Sequence, residues 1–280
     1  ETVQASAVLA MGTVIGTVVL GVGCAWCIER HDFMGRRLLA WLLVLPLAMP
    51  TYVIAFAYTD FLQFSGPLQR WLRDALGFSG HLPDIRSMWG AILLFSFVLY
   101  PYVYLMARTA LGELSSSSIE AARSLGLTTR AVFWRVVVPL IFPSLTASAM
   151  LVLMETLADV GATYYFGLPT FSAGIYRAWY AQDSRGAALT LALLLLLLVS
   201  VIFWIERRAR GRAQQITSHT HRPWARVPLY GARGVLIGGL LLIPIFLGFV
   251  LPVTTLLWQL LREPELTLDL ARFGQWLRNT

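Results

Sequence analysis

EAARSLGLTTRAVFWRVVVPL, residues 120–140, interrupts a chain that otherwise reads as a series of membrane helices. The serines at 115–118 supply a helix start by N-capping. Glu120, Ala121 and Ala122 then favour helix, and Glu120 in the first turn suits the positive helix end, with Arg123 as an ion-pair partner one turn on. Gly126 ends that helix by admitting a left-handed backbone. Thr128 or Thr129 caps the next helix, which carries Phe133 and Trp134 toward the bilayer, and Pro139 fits a bend where that helix enters it. The expected product is a short helix lying across a membrane face, held by a helix at each end. Such a loop is suited to docking something soluble, whereas an ordinary re-entry loop would place these alanines by chance.

The surrounding composition is that of a polytopic membrane protein. The chain is 57% hydrophobic and 13% charged, where a soluble domain carries about a quarter charged residues. Several apolar runs reach the roughly 20 residues that a helix needs to cross a bilayer. A spanning strand barrel would alternate apolar and polar residues, and LTLALLLLLLVSVIFWI (residues 189–205) does not. The expectation is an all-α bundle. Six spans are expected, near residues 3–28, 38–62, 88–111, 136–159, 187–205 and 234–258. Pro46 and Pro50 should kink the second.

All 22 basic residues are arginine. A Walker A loop needs its lysine, so this chain is not itself that kind of ATPase, and a Schiff-base lysine is excluded too. The net charge of +7 reads as membrane orientation and not as a nucleic-acid footprint. Arg30, Arg36 and Arg37 follow the first span; Arg108, Arg123, Arg130 and Arg135 flank the third connection; seven more lie at 207–233. That set holds 14 arginines and the opposite set 8, which places the Glu120 loop in the cytoplasm and the first residue outside. Between the second and third spans GPLQRWLRDALGF (residues 66–78) is expected to form an amphipathic helix with Leu68, Trp71, Leu72, Ala75 and Leu76 on one face.

Chemistry-bearing residues are sparse. Cys24 and Cys27 form a CxxC inside an apolar run, where small apolar packing is the simpler reading. His219 and His221 sit in the basic linker without further ligands, so no metal site is expected. Glu155 and Asp159 are four residues apart near the outer end of the fourth span. Ionisable groups in a span are costly and are functional candidates by default; they either line a passage for a cation or hydrogen-bond neighbouring helices, with Arg108 or Arg177 as partners. Tyr100, Tyr102, Tyr104, Tyr164 and Tyr165 are phenolic and could meet ferric iron, but suit packing and interfaces better.

The spacing Glu-Ala-Ala, three residues, Gly, nine residues, aliphatic, one residue, aliphatic, Pro is met by Glu120, Ala121, Ala122, Gly126, Val136, Val138 and Pro139. It resembles the EAA loop of ATP-binding-cassette (ABC) importer permeases. GRRLLAWLLVLPLAMPTYVIAFAYTDFL, SFVLYPYVYLMART, LMETLADVGATYYFGLPTFSAGIYRAWY and IERRARGRA look like the first half of a fused ferric-iron importer permease. The resemblance implies a type I ABC importer permease fold in a bacterial inner membrane. It implies a first permease half at 1–212, lacking its first span and with its EAA loop at 112–139, a basic linker at 213–233 and the start of a second half at 234–280. It also implies partners: an ATPase dimer that binds ATP–Mg and receives the short helix in a cleft, a periplasmic substrate-binding protein, the second permease half and membrane lipid. On this reading Glu120, Ala121, Ala122, Gly126 and Pro139 couple to the ATPase, Glu155 and Asp159 line the path, and the chain holds no cofactor and performs no bond chemistry. Related permeases for thiamine, phosphonate or polyamine share the layout. A secondary transporter using Glu155 and Asp159 as a proton relay would need no ATPase. A membrane-embedded enzyme would need clustered His, Asp, Glu or Cys at membrane depth, and a scaffold leaves the Glu120 loop unexplained.

Overall fold

Glycines set the first helix contact. The computed structural model describes residues 1–77, 80, 83–114, 116–210 and 226–262, together with Gln275 and Arg278. Helix α1 (Thr2–Arg30) runs against α5 (Met88–Gly112). A Cβ added at Gly12 would stand 2.6 Å from Ile92, one at Gly21 2.6 Å from Val103, and one at Gly16 would run into Ser96. Small residues one turn apart let two helices meet backbone to backbone, the usual solution where lipid gives no hydrophobic drive to association.

Between them lies the second crossing. Helix α2 (Arg36–Leu42) runs into a 3-10 turn (Leu45–Ala48), then α3 (Thr51–Leu62) and α4 (Pro67–Leu76) follow. The segments Arg36–Ala48 and Thr51–Ala75 meet at 93°. Pro46 and Pro50 both lack an N–H, and Met49 between them is extended, so the expected kink is a full break.

Helix α4 forms where the amphipathic helix is expected and meets the end of α3 through its polar side. Gln69 is buried, and its Nε2 donates to the Leu62 carbonyl at 2.9 Å. Arg73 donates to the Phe64 carbonyl at 2.9 Å and covers the Phe64 ring. Trp71 is 58% exposed. The carbonyls at the end of α3 need donors, and Gln69 and Arg73 supply them.

After α5 come α6 (Ser116–Ser124), α7 (Thr129–Val132), a π turn (Phe133–Val137) and α8 (Val138–Ala158), the last three forming one helix over Arg130–Ala158. Short α9 (Gly161–Tyr165) and α10 (Phe171–Tyr176) turn the chain into α11 (Arg185–Arg210). Helix α12 (Ala232–Ile245), a π turn (Phe246–Val250) and α13 (Leu251–Arg262) form the sixth crossing. These ranges match the six expected spans, because each is a long apolar run with few charges. Helix α5 is 72% buried over its apolar window and α11 only 6%. So α5 is the axis of the bundle and α11 is a peripheral helix, apolar all round as a lipid-facing helix should be.

Two short extended pieces depart from a purely helical expectation. Strands β1 (His31–Asp32) and β2 (Val227–Pro228) pair in parallel. They join the end of α1 to the approach to α12. His219, His221 and most of the linker at 213–233 lie outside the described residues, as do Ser115 and nearly all of 263–280.

Candidate functional site: the EAA loop and the helix that follows it

The fold holds the EAA loop by its inner face. Ser116, Ile119 and Ala122 of α6 are buried, three residues apart and so on one side of the helix. Ile119 and Ala122 belong to a core with Ile28 of α1, Leu111 and Leu114 at the end of α5, and Val132 and Val137. Glu120, Ala121 and Ser124 are exposed on the other side. The two alanines therefore divide: Ala122 lets α6 lie close to its own bundle, and Ala121 leaves an open surface. Because α6 begins at Ser116, Glu120 is its fifth residue and not in its first turn. It makes no ion pair among the described residues.

The turn out of α6 is fully hydrogen-bonded. Gly126 has φ +83°; its N–H donates to the Arg123 carbonyl at 2.9 Å, and the Leu127 N–H to the Ala122 carbonyl at 3.2 Å. This is the Schellman pattern that a glycine just past a helix permits. Thr128 caps the next helix, its Oγ1 accepting from the Ala131 N–H at 3.4 Å and its carbonyl from the Val132 N–H at 2.9 Å. Leu125, inside this turn, is 83% exposed. The sequence reading passed over it because an apolar residue in a turn carries no helical period.

From the cap the helix rises without a break. Pro139 was expected to mark a bend at membrane entry. The structure has the π turn Phe133–Val137 immediately before it, closed by the Val138 N–H to the Phe133 carbonyl. A proline ring displaces the carbonyl four residues back, and a π turn absorbs that displacement without parting the helix. Phe133 stacks edge-on against Trp26 at 4.7 Å and against Trp134 at 5.2 Å, which fixes this turn to α1. From Thr129 to Glu155 the helix spans about 40 Å at 1.5 Å per residue.

At the far end the two acids differ. Glu155 is exposed on α8. Asp159 is half-buried and caps α9: its Oδ1 accepts from the Ala162 N–H at 2.8 Å and the Thr163 N–H at 3.4 Å. Its carbonyl accepts the Thr163 and Ser172 hydroxyls at 2.7 and 2.8 Å. Arg108 is no partner for either acid, since it pairs with Glu29 near α6, at 3.0 Å. Arg177 makes no ion pair among the described residues. The phenols do not converge: Tyr100 and Tyr104 are fully buried, while Tyr164 stacks with Tyr176 at the surface. Cys24 is buried in α1 and Cys27 half-buried. Among the described residues no group of three or more His, Cys, Asp or Glu side chains gathers.

The comparisons with known proteins fit this geometry. Residues 17–213 match the family of binding-protein-dependent transport system inner membrane components. The chain belongs to that family. Its curated relatives include the Fe(3+)-transport system permease protein FbpB 2 of Haemophilus influenzae, 25% identical over 198 residues. That alignment covers 71% of this chain, which spans 35% of the relative's length. Another is the sulfate transport system permease protein CysW of Escherichia coli K12, 30% identical over 217 residues, covering 73% of this chain and 72% of the relative. The molybdenum transport system permease protein ModB of Haemophilus influenzae is 25% identical over 74% of this chain and 93% of its own. Among solved structures the chain is similar to the MetNI methionine ABC transporter, with a TM-score of 0.57 and 18% identity over 76% of this chain and 95% of that one. A bacterial alginate ABC transporter gives a TM-score of 0.64 at 15% identity, over 76% and 79% of the two chains. The fold is that of type I ABC importer permeases, and this family member is a multi-pass membrane protein.

Proposed function

We propose that this chain is the permease subunit of an ATP-driven, binding-protein-dependent importer, with its α6 loop in the cytoplasm and ferric iron as its cargo. The observation that carries the reading is the uninterrupted helix from the Thr128 cap to Glu155. A push on the outer face of α6 enters at the Gly126 turn and reaches the membrane as motion of one rod. Glu120, Ala121 and Leu125 are the surface that meets an ATPase; Ala122, Gly126 and Pro139 shape the lever. The partners on this reading are an ATPase dimer holding ATP–Mg, a periplasmic binding protein and a second permease half. Residues 1–212 form the first half, 213–233 the linker and 234–280 the start of the second half. Orientation draws its support from the arginines, 14 on the α6 side against 8 on the other.

Cargo is the finer part of the proposal. The relatives are named for ferric iron, molybdenum and sulfate. An exposed carboxylate at Glu155, with no arginine partner among the described residues, supports a cation. The test is uptake into proteoliposomes holding the full-length chain, the ATPase and the binding protein. ATP-dependent ferric uptake, lost in Glu155→Gln, is expected. ATP-driven uptake of molybdate, sulfate, thiamine, a phosphonate or a polyamine in place of iron would keep the class and remove the cargo. Uptake driven by an ion gradient without the ATPase would contradict both.

A further inference from the structure

The ends of α1 and α5 and the start of α2 line a cavity of ≈ 750 Å³ that importer coupling does not explain. Its charged lining is Arg30, Arg36, Arg37 and Arg226 against Glu29 and Asp32. Glu29 is already neutralised, accepting from Arg108 Nε at 3.0 Å and from Arg226 Nη2 at 2.9 Å. Arg36 is held in place by its own bond to the Ile28 carbonyl at 3.1 Å, and it lies 3.4 Å from Asp32. Arg37 is exposed and makes no ion pair among the described residues. Four guanidinium groups thus face two carboxylates, one of them fully engaged. The lining therefore holds more arginines than carboxylates, with fork-shaped donors suited to phosphate oxygens.

The neighbouring cavity says which phosphate. A groove of ≈ 760 Å³ shares Asp32 and Phe33 with the arginine cavity and continues between α2 and α12. Its walls are Leu39, Leu229, Val235 and Leu242, and its floor is glycine. Gly239 has nothing within 4 Å of where a Cβ would stand, and Gly238 meets only Leu39 at 3.9 Å. A charged chamber opening onto an apolar trough along two spans has the shape of a lipid: headgroup, then acyl chain. A free phosphate or nucleotide would use the chamber and leave the trough empty.

We propose that these two cavities form a binding site for an anionic phospholipid of the cytoplasmic leaflet, its phosphate held by Arg30, Arg36, Arg37 and Arg226 and one acyl chain lying over Gly238 and Gly239. This rests on the orientation proposed above. Basic pockets between spans on the cytoplasmic side are where such headgroups bind. An occupied site would tie α1, α2 and α12 together beside α6, so the loop's rigidity would depend on the leaflet's composition.

The experiment counts lipid adducts on the full-length chain by native mass spectrometry, with phosphatidylglycerol and phosphatidylcholine of identical acyl chains offered in equal amount. Retention of phosphatidylglycerol in preference is expected, with Arg37→Gln lowering that preference about five-fold and Arg37→Lys keeping most of it. Gly239→Phe, which fills the trough without touching the arginines, is expected to lower phosphatidylglycerol retention as well. Equal retention of the two lipids, or indifference to Arg37→Gln, would overturn the site. Displacement of the lipid by millimolar inorganic phosphate, with Gly239→Phe silent, would assign the chamber to a soluble anion and overturn the lipid. Orientation is read separately, from labelling of Met34→Cys by an impermeant maleimide in inside-out and right-side-out vesicles. Labelling from the external side alone would remove the cytoplasmic leaflet and the importer orientation together, whatever the headgroup preference.

Discussion

The Leu127 N–H reaches back to the Ala122 carbonyl, 3.2 Å away, across a glycine at φ +83°. This bond joins the buried face of α6 to the helix that begins after Thr128. A Cβ at Gly126 would meet nothing within 4 Å, so the glycine is required by backbone conformation and not by space. Replacing Gly126 with alanine or valine should cost about 1 kcal/mol or more of loop stability. Asparagine, which tolerates the left-handed region, should cost less. Stimulation of the partner ATPase, measured in the reconstituted complex, should fall in the order Gly, Asn, Ala, Val; equal activity across the series would mean that this turn transmits nothing.

Tyr58 and Pro252 share a second relationship. In the π turn Phe246–Val250 the next donor to the Leu247 carbonyl would be Pro252, which has no N–H. The Tyr58 hydroxyl donates to that carbonyl instead, at 2.6 Å. Tyr58→Phe should lower thermal stability by about 1–2 kcal/mol, the cost of a buried carbonyl left without a donor. Pro252→Ala supplies the missing N–H and should relieve most of that loss in the double variant. A thermal melt in detergent checks both; strictly additive effects would contradict the shared carbonyl.

Glycine positions on α1 give a paired test of the α1–α5 contact. Gly16→Leu would drive a side chain into Ser96 and should abolish assembly of the bundle, read as loss of the folded monodisperse peak on gel filtration. Gly23, on the same helix, has nothing within 4 Å, and Gly23→Leu should elute as wild type. Loss of both would point to a general intolerance of bulk in this helix.

Glu29 binds two arginines from separate segments, Arg108 of α5 and Arg226 ahead of α12. Its side chain is 14% exposed while the arginines are 36% and 44% exposed, so solvent screens part of the interaction. Glu29→Gln should cost about 1–2 kcal/mol. A double-mutant cycle with Arg226→Gln should return a coupling of about 0.5 kcal/mol or more, shrinking as salt is raised. No coupling would mean that β1 and β2 alone hold the linker to α1.

What the sequence made legible follows from which signals are local. The six crossings were readable because lipid demands long apolar runs, and the Gly126 and Thr128 turns because both are set by residues within a few positions. The break at Pro46 and Pro50 was readable as to place but not degree, since its 93° depends on packing. Glu29 was missed because its partners lie 79 and 197 residues away. The contact of α4 with the end of α3 was not readable, because Gln69 and Arg73 answer carbonyls in the preceding turn and not the apolar period. The separate roles of Ala121 and Ala122 also escaped the spacing, which reads two adjacent alanines alike while the helix turns one in and the other out.

The central claim, that the exposed face of α6 grips a cytoplasmic motor, is tested most directly by disulfide cross-linking. Single cysteines at residues 119, 121, 122, 124 and 125, in a chain whose Cys24 and Cys27 are alanine, would be oxidised in inside-out vesicles with cysteine-scanned ATPase. The account predicts adducts at 121, 124 and 125 that respond to ATP, and none at the buried positions 119 and 122. Absence of adducts at all five, together with labelling of position 125 by an impermeant thiol reagent from the periplasmic side, would contradict it.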